Sequence, residues 1–230
     1  MANDDFSNLL KFLQIRFKNT QLLSQAFIHR SFLNEVKAPL KSNERLEFLG
    51  DSVLSLLISQ YLFLVREADA EGDLTNLRAY IVKTKSLAQA AQRLNLGKYL
   101  KLSKGEEMGG GRENPQLLAN TFEALLGAVY LDQGMEGAKK MVDRILLPIF
   151  EDEIKHGPPQ DAKSSLQELA QEKLKQSPVY KTLKTYGPDH AKQFLVGVYL
   201  EGKEMGRGEG SSKQEAEEKG AKEALRKLTF

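Results

Sequence analysis

Three carboxylates stand close together in the stretch ERLEFLGD, residues 44–51. On a helix, Glu44 and Glu47 are three positions apart and Glu47 and Asp51 are four apart, so the three acids share one face. Like charges at these spacings repel one another by about 0.2–0.5 kcal/mol per pair. The face is therefore either the solvated stripe of an amphipathic helix or the site of a divalent cation. Such a cation would turn the repulsion into attraction, and it could activate water and stabilise a phosphoryl transition state.

A second segment offers more oxygen ligands of the kind that a cation needs. In LLANTFEALLGAVYLD, residues 117–132, Asn120 and Glu123 interrupt an apolar helical pattern at a spacing of three. The chain has no cysteine and only three histidines, which are far apart, so oxygen ligands and a hard cation such as Mg2+ or Mn2+ are favoured. Gly50, beside the acids, costs about 1 kcal/mol relative to alanine inside a helix. It suggests that another backbone or a ligand approaches closely there.

The elements that must position these residues are helices. Apolar residues recur at three- and four-residue spacing from residue 6 to about residue 150, which predicts a helical first domain, 1–150. The glycine-rich segment 105–114 lacks a preceding strand, so a flexible connection is favoured over a phosphate-binding loop. The predicted helical runs are 6–17, 19–33, 45–65, 74–94 and 115–134, and the residues expected to pack inward beside the acids are Leu46, Leu49, Val53, Leu56 and Leu57.

The pattern changes after residue 150. Residues 151–162, which include Gly157-Pro158-Pro159, read as a linker. From 163 to 230 the pattern predicts a helix, three short strands and a final helix over 211–228. The predicted fold class is therefore mainly α: an all-helical domain followed by a small α+β module of order α-β-β-β-α.

Composition narrows the classes of protein. The chain has 230 residues and a net charge of +2, and this charge alone does not indicate that the protein binds nucleic acid. Any basic patch must come from local clustering of basic residues. The absence of cysteine excludes disulfides and thiol catalysis and fits a cytoplasmic protein. No signal peptide is evident and no apolar run is expected to approach the length of a membrane span, so no membrane partner is predicted.

The stretch NERLEFLGDS, residues 43–52, resembles the signature of the ribonuclease III family. The likeness extends to IHRSFLNE, EGDLTNLRAYIVKTKSLA and LLANTFEALLGAVYLD, and the C-terminal module resembles the double-stranded RNA-binding domain of the bacterial type. The resemblance implies a homodimeric, metal-dependent endoribonuclease that cuts double-stranded RNA and leaves 5′-phosphate and 3′-hydroxyl ends with short 3′ overhangs. It also implies processing of ribosomal RNA precursors and structured messenger RNAs.

Particular roles follow from the same resemblance. Glu47, Asp51 and Glu123 match the catalytic residues that hold Mg2+, with Mn2+ as a possible substitute. Glu44 and Glu71 match acids that border the RNA cleft, with ordinary surface acids as the alternative. Phe48 matches an aromatic side chain that inserts into the partner subunit, with core packing as the alternative.

Asn120 departs from the family, in which this position is usually aspartate. An amide oxygen can ligate Mg2+ but carries no charge, so metal affinity should fall. Three interpretations compete: the site still cuts RNA, the protein binds double-stranded RNA with weakened or no cleavage, or the residue is an engineered knock-out. The first is favoured, because every other acid is retained.

The second module offers three groups of RNA contacts, since A-form RNA is recognised by shape, 2′-hydroxyls and phosphates. The first group lies on the first helix, the second in the turn GPDH and the third at the start of the last helix, where the helix dipole favours phosphate. Gln214 and Gly220 depart from the residues usual in the family. The predicted contacts are Ser165, Gln167 and Glu168, then Gly187, Pro188 and His190, then Ser211, Ser212, Lys213 and Lys219.

Overall fold

The structure, a computed structural model, describes residues 5–37, 39–158, 162–188 and 191–228. The chain divides into two compact units, residues 1–158 and 159–230. The first unit is helical, and the second contains two helices and a three-stranded antiparallel sheet in the order β1-β2-β3. The predicted fold class, helical domain followed by an α-β-β-β-α module, is confirmed.

Some helices of the first unit begin at a residue whose side chain caps them. The side chain of Asn19 accepts a hydrogen bond from the backbone N–H of Gln21, and Asn114 caps the helix that opens with Pro115. The helices of this unit are α1 Ser7–Leu13, α2 Thr20–Ala26, α3 Glu44–Val65, α4 Glu71–Val82, α5 Thr84–Arg93, α6 Lys104–Met108, α7 Pro115–Met141 and α8 Glu151–His156.

The predicted helical runs 6–17 and 19–33 are too long, because α1 ends at Leu13 and α2 ends at Ala26. Two further runs are interrupted at a single residue. Lys83 has an extended backbone, with ψ of 153°, so the run 74–94 forms two helices, α4 and α5, rather than one. Gly134 has a positive φ of 72°, which breaks the helical geometry of α7, but the helix resumes and continues to Met141. Neither break involves proline, the strongest sequence signal for an interruption.

Helices α3 and α7 form the centre of the first unit, and two glycines set how closely they pack. A Cβ atom on Gly50 would lie 1.9 Å from the backbone oxygen of Glu123, and a Cβ atom on Gly127 would lie 2.2 Å from the backbone oxygen of Leu46. Only glycine at both positions lets the two backbones touch. The interpretation of Gly50 as a place where another backbone approaches is confirmed.

Helix α3 has one buried and one exposed apolar face. Its 22 residues are apolar enough to span a membrane by length and composition alone, contrary to the expectation that no run approaches that length. Here, however, Leu54, Ile58 and Leu62 are buried in the core that α3 shares with α7. Leu56 was expected to pack inward and is instead 55% exposed, because it lies about 200° around the helix from Leu54.

The glycine-rich segment 105–114 is anchored rather than a free connection. Its first residues belong to α6, and Gly111 is buried. The Arg112 guanidinium donates to the backbone oxygens of Gly97 and Leu100, each at 2.9 Å, and pairs with Glu107. The expectation of a flexible connection is wrong, because one arginine satisfies several carbonyl groups of the preceding loop.

The predicted linker also begins later than expected. Residues 151–156 form helix α8, whose Ile154 is buried in the core of the first unit. The apolar signal was a single isoleucine among charged residues, which is weak evidence for a packed helix. Residues 159–161 lie outside the described part of the chain.

The second unit packs two helices against one face of its sheet. Gly208, on the third strand, faces the last helix so closely that an added Cβ atom would lie 1.9 Å from the backbone oxygen of Ala216. A Cβ atom added at Gly220 would lie 2.8 Å from the Val198 side chain, so tight packing accounts for this glycine. The elements are α9 Ala162–Leu174, β1 Val179–Tyr186, β2 Gln193–Leu200, β3 Lys203–Gly210 and α10 Lys213–Leu228.

Candidate active site and RNA-binding surface

A cavity of about 650 Å³ lies where α3 crosses α7. It collects side chains from the first turns of α3, the first half of α7 and the loop before α3. All four residues predicted to hold a metal line this one cavity. The lining residues are His29, Arg30, Asn43, Glu44, Glu47, Phe48, Asp51, Leu100, Leu117, Asn120, Thr121 and Glu123.

The glycine crossing explains why residues from distant parts of the chain meet. Glu47 and Asp51 flank Gly50 on α3, and the backbone atom that touches Gly50 belongs to Glu123 on α7. On α7, Asn120, Glu123 and Gly127 are three and four positions apart, so their side chains lie on the face of α7 that contacts α3. The close approach of α3 and α7 at Gly50 therefore brings these side chains together.

The acids at the crossing are close enough to disturb one another. The pKa of Glu123 is raised from its ordinary value of 4.5 to about 8, first by burial and then by the charges of Asp51 and Glu47. The pKa of Glu47 is also raised, by burial and by the charges of Glu44 and Asp51. A hydrogen bond from Asn120 opposes that rise in Glu47. The carboxyls thus form one cluster of excess negative charge.

Asn120 is held by a residue that the sequence did not single out. The side-chain Nε2 of Gln116 donates a hydrogen bond of 2.7 Å to Oδ1 of Asn120, at a spacing of four along α7. Asn120 also lines the same cavity as Glu47 and lowers the pKa of that carboxyl. The only available signal was two amides at i,i+4 spacing, a pattern that stabilises helices in general and does not distinguish a site.

The donor chemistry of the cluster fits a hard divalent cation, although its arrangement is not a closed cage. Three carboxylates and an amide oxygen are ligands that Mg2+ and Mn2+ accept, and a cation would relieve the repulsion that raises the pKa of Glu123. Over residues 5–37, 39–158, 162–188 and 191–228, no three His, Asp or Glu side chains are spaced to hold a metal ion. The side-chain oxygen of Asn120, the fourth predicted ligand, accepts a hydrogen bond from Gln116.

Three other predicted residues of the first unit lie at different distances from this cluster. Glu44 lines the cavity, accepts a hydrogen bond of 2.8 Å from Ser42 and pairs at 3.6 Å with Arg30, all at the surface. Phe48 also lines the cavity and is 78% exposed, so core packing is excluded for its side chain within this chain. Glu71, at the start of α4, accepts a hydrogen bond from Thr75 and does not line the cavity.

The first two groups of predicted RNA contacts lie at the surface of the second unit. On α9, Gln167 and Glu168 are exposed and Ser165 is half-buried, whereas Leu166 is fully buried. Gly187 and Pro188 are exposed in the connection between β1 and β2, and the positive φ of 90° at Gly187 suits glycine. The remaining predicted contact of that turn, His190, lies outside the described residues.

The third predicted contact contains an acid that sequence interpretation overlooked. Oγ of Ser212 accepts a hydrogen bond from the backbone N–H of Glu215, and the Glu215 carboxylate accepts bonds from the N–H and hydroxyl of Ser211. Lys219 pairs with Glu215 at 2.8 Å, and together these partners lower the pKa of Glu215 to about 2. Lys213 is exposed. The serine–glutamate spacing of a capping box was present in the sequence and could have revealed this arrangement.

Comparisons with known proteins agree over almost the whole chain. A family model described as Ribonuclease-III-like matches residues 19–149, and one described as Double-stranded RNA binding motif matches residues 162–228. A Ribonuclease 3 from Pelotomaculum thermopropionicum is 46% identical over 98% of this chain and 94% of its own length. A Ribonuclease 3 from Bacillus cytotoxicus is 49% identical over 94% of this chain and 88% of its own length.

A solved structure of similar fold covers the first unit. The nuclease domain of ribonuclease III from Campylobacter jejuni aligns with a TM-score of 0.59 at 42% identity, over 64% of this chain and 97% of that domain. A helical nuclease domain joined to a double-stranded RNA-binding motif defines an endoribonuclease that acts on double-stranded RNA. The chain belongs to the ribonuclease III family.

Proposed function

We propose that Glu47, Asp51, Asn120 and Glu123 hold a divalent cation, Mg2+ with Mn2+ as a substitute, with which the chain hydrolyses phosphodiester bonds of double-stranded RNA. The observation that carries this proposal is the convergence of the four side chains on one cavity at the Gly50–Gly127 crossing. When bound, the cation supplies Lewis-acid polarisation of the phosphate and activation of water. The products would carry 5′-phosphate and 3′-hydroxyl ends with short 3′ overhangs, as the family resemblance implies.

The role proposed for each acid follows from its pKa and its position relative to the cavity. Glu123 is the most strongly perturbed acid, and its raised pKa means that it ionises fully near neutral pH only when positive charge arrives. Asp51 and Glu47 supply the charge that attracts the cation. Glu44, on the rim and paired with Arg30, and Glu71, outside the cavity of this chain, are proposed to place RNA or water at the border of the cleft.

A labelled RNA duplex incubated with Mg2+, Mn2+ or EDTA tests this proposal. We expect cleavage with either cation, none with EDTA, and none for Glu123→Ala. Asn120→Asp should cut at lower Mg2+ concentration than the parent, because it restores a charge at the fourth ligand. Absence of cleavage at every Mg2+ and Mn2+ concentration, with activity restored by Asn120→Asp, would instead support the second candidate.

That second candidate is a double-stranded RNA-binding protein with weakened or no cleavage. A specific observation favours it: Oδ1 of Asn120 accepts a hydrogen bond from Gln116, so the atom that could ligate a cation is already engaged. Both candidates bind RNA, so only the cleavage assay separates them.

We infer that the chain acts as a homodimer. Helix α3 carries a face of exposed apolar side chains, and such patches on a domain mark interaction surfaces. A second structure of the Campylobacter jejuni nuclease domain, with a TM-score of 0.60 at 42% identity over 64% of this chain and 99% of that domain, is described by its flexibility in a region involved in dimer formation. The exposed residues are Phe48 at 78%, Leu56 at 55%, Phe63 at 70% and Leu64 at 61%.

Sedimentation of the whole chain tests the homodimer. Phe48→Asp places a charge in the proposed contact and should shift the protein from dimer to monomer, while Phe12→Asp, on another exposed phenylalanine outside α3, should leave the dimer intact. A parent that sediments as a monomer at every concentration would contradict the inference.

The second unit is proposed to bind double-stranded RNA through its exposed residues. Support comes from the match to the RNA-binding motif and from the surface positions of Gln167, Glu168 and Lys213. Processing of ribosomal RNA precursors and structured messenger RNAs in the cytoplasm is the role proposed from the family resemblance. The remaining proposed contacts are Ser165, Gly187, Pro188, His190, Ser211, Ser212 and Lys219.

A further inference from the structure

Three polar side chains lie in series from the surface to the acid cluster. Gln116, on the first turn of α7, is exposed and donates through Nε2 to Oδ1 of Asn120 at 2.7 Å. Asn120, half-buried on the next turn, lines the same cavity as Glu47 and lowers the pKa of that carboxyl. Gln116 does not line the cavity itself, so it acts on the cluster only through Asn120.

The carboxylate of Glu47 determines how the amide groups of Asn120 and Gln116 are oriented. An ionised carboxylate can only accept hydrogen bonds, so the Asn120 atom that faces Glu47 must be the NH2 group. Its oxygen must then face Gln116, which requires the NH2 group of Gln116 on that side. Both amide orientations therefore follow from Glu47 and agree with the observed donor and acceptor.

A cation at the cluster demands the opposite orientation of Asn120. A metal ligand must be the amide oxygen, and the NH2 group then needs an acceptor. Gln116 provides one, because its own amide has an oxygen as well as an NH2 group and can turn over at the surface. A glutamine at this position can hold Asn120 in either orientation, whereas a purely donating or purely apolar side chain cannot.

We propose that Gln116 is a positioning residue for the amide at the fourth ligand position. It anchors the Asn120 side chain while Asn120 donates to Glu47, and it accepts from Asn120 when the amide oxygen turns to the cation. This inference rests on the proposed metal site and explains how a neutral amide can serve where a carboxylate is usual. Partners of this kind orient the ligands they touch and typically change metal affinity by about tenfold or more.

Binding of Mn2+ alone to the RNA-free protein tests the proposal without reference to activity. Free Mn2+ is measured by electron paramagnetic resonance during titration of the parent, Gln116→Met and Gln116→Glu. Methionine matches glutamine in length and helix propensity but cannot hydrogen-bond to the amide as glutamine does, so Gln116→Met should weaken Mn2+ binding by about tenfold. Gln116→Glu keeps an acceptor for the Asn120 NH2 group and should bind Mn2+ at least as tightly as the parent.

Two controls separate positioning from general effects. Gln92→Met changes an exposed glutamine on α5, away from the cavity, and should leave Mn2+ binding unchanged. In an Asn120→Asp background, Gln116→Met should change Mn2+ affinity by less than about twofold, because charge rather than amide orientation then draws residue 120 to the cation. Thermal unfolding midpoints of all variants verify that the fold is retained.

The outcomes distinguish the inference from the proposed function beneath it. If the parent binds Mn2+ and Gln116→Met binds it equally well, or if Gln116→Met weakens binding as much in the aspartate background, Gln116 has no positioning role and the metal site stands. If neither the parent nor Asn120→Asp binds Mn2+, the metal site itself is refuted and this inference with it.

Discussion

Two glutamates, one in each unit, have pKa values shifted in opposite directions. At the α3–α7 crossing, burial and neighbouring carboxylates raise the pKa of Glu123 to about 8. At the start of α10, Lys219 and Ser211 lower the pKa of Glu215 to about 2. Glu123 is held among like charges, whereas Glu215 is paired with Lys219 and hydrogen-bonded to Ser211. A carboxyl whose pKa is raised by like charges in a cavity is a candidate ligand site, while one whose charge is compensated by its own helix contributes to local structure.

The largest expected effect is on the rate of RNA cleavage, which should depend on Glu123 and not on Glu215. Glu123→Gln removes a proposed cation ligand and should slow duplex cleavage about 100-fold or more. Glu215→Gln should leave the cleavage rate at saturating RNA unchanged, because that residue lies outside the site. Single-turnover cleavage of a labelled duplex measures both, and equal losses in the two variants would break the comparison.

The next effect concerns the crossing that brings the acids together. Gly50→Ala should lower the free energy of unfolding of the first unit by about 1–3 kcal/mol, since the new Cβ atom would overlap the backbone of Glu123. Gly72→Ala is the matched control: it lies in helix α4 with nothing within 4 Å of the added atom. Urea unfolding followed by circular dichroism measures both. A Gly50→Ala protein as stable as Gly72→Ala would show that the helices do not need the close contact.

The opposite pKa shifts predict opposite dependence of stability on pH. Glu123 binds its proton more tightly in the folded state, so without metal the free energy of unfolding should fall as pH rises from 4.5 to about 8. The contribution of Glu215 has the other sign: it is present above 4.5 and is lost as pH falls toward 2. Urea unfolding in EDTA across this range should show that Glu123→Gln removes the fall between 4.5 and 8. A fall of the same size in that variant would assign it to other groups.

The smallest effect concerns RNA affinity. Glu215→Gln keeps a side chain that can cap α10 but removes a negative charge from the proposed phosphate contact and frees Lys219. Duplex RNA should bind about two- to fivefold more tightly, with a steeper dependence on salt. Glu201→Gln, in the exposed turn between β2 and β3, makes the same change of charge elsewhere. Fluorescence anisotropy at several salt concentrations measures both, and equal gains would mean that only net charge matters.

Much of the fold was predictable because its signals are local. Apolar periodicity and the caps at Asn19 and Pro115 located the helices, and the alternating segments located the strands. The break at Lys83 and the packed helix α8 were missed, since an extended lysine and a single buried isoleucine leave no clear pattern. The outward face of Leu56 was missed because periodicity cannot tell a core from a surface that a partner could cover.

The candidate site was predictable as a set of residues but not as a network. Gly50 indicated a close approach, and the structure identifies the approaching backbone as that of Glu123. The roles of Gln116 and Glu215 depend on which side chains touch, and an amide pair or a serine–glutamate pair is common on any helix surface. Their significance appears only when the neighbouring charges are placed.

The anomalous scattering of Mn2+ in crystals of the protein would locate the cation and so decide whether the acid cluster binds it. We expect a peak in the cavity at the α3–α7 crossing, with carboxylate oxygens of Asp51 and Glu123 at about 2.1 Å from the ion and a loss of that peak in Glu123→Gln. A Mn2+ peak elsewhere on the chain, or strong cleavage by protein whose crossing stays free of the ion at saturating Mn2+, would contradict the proposed metal site.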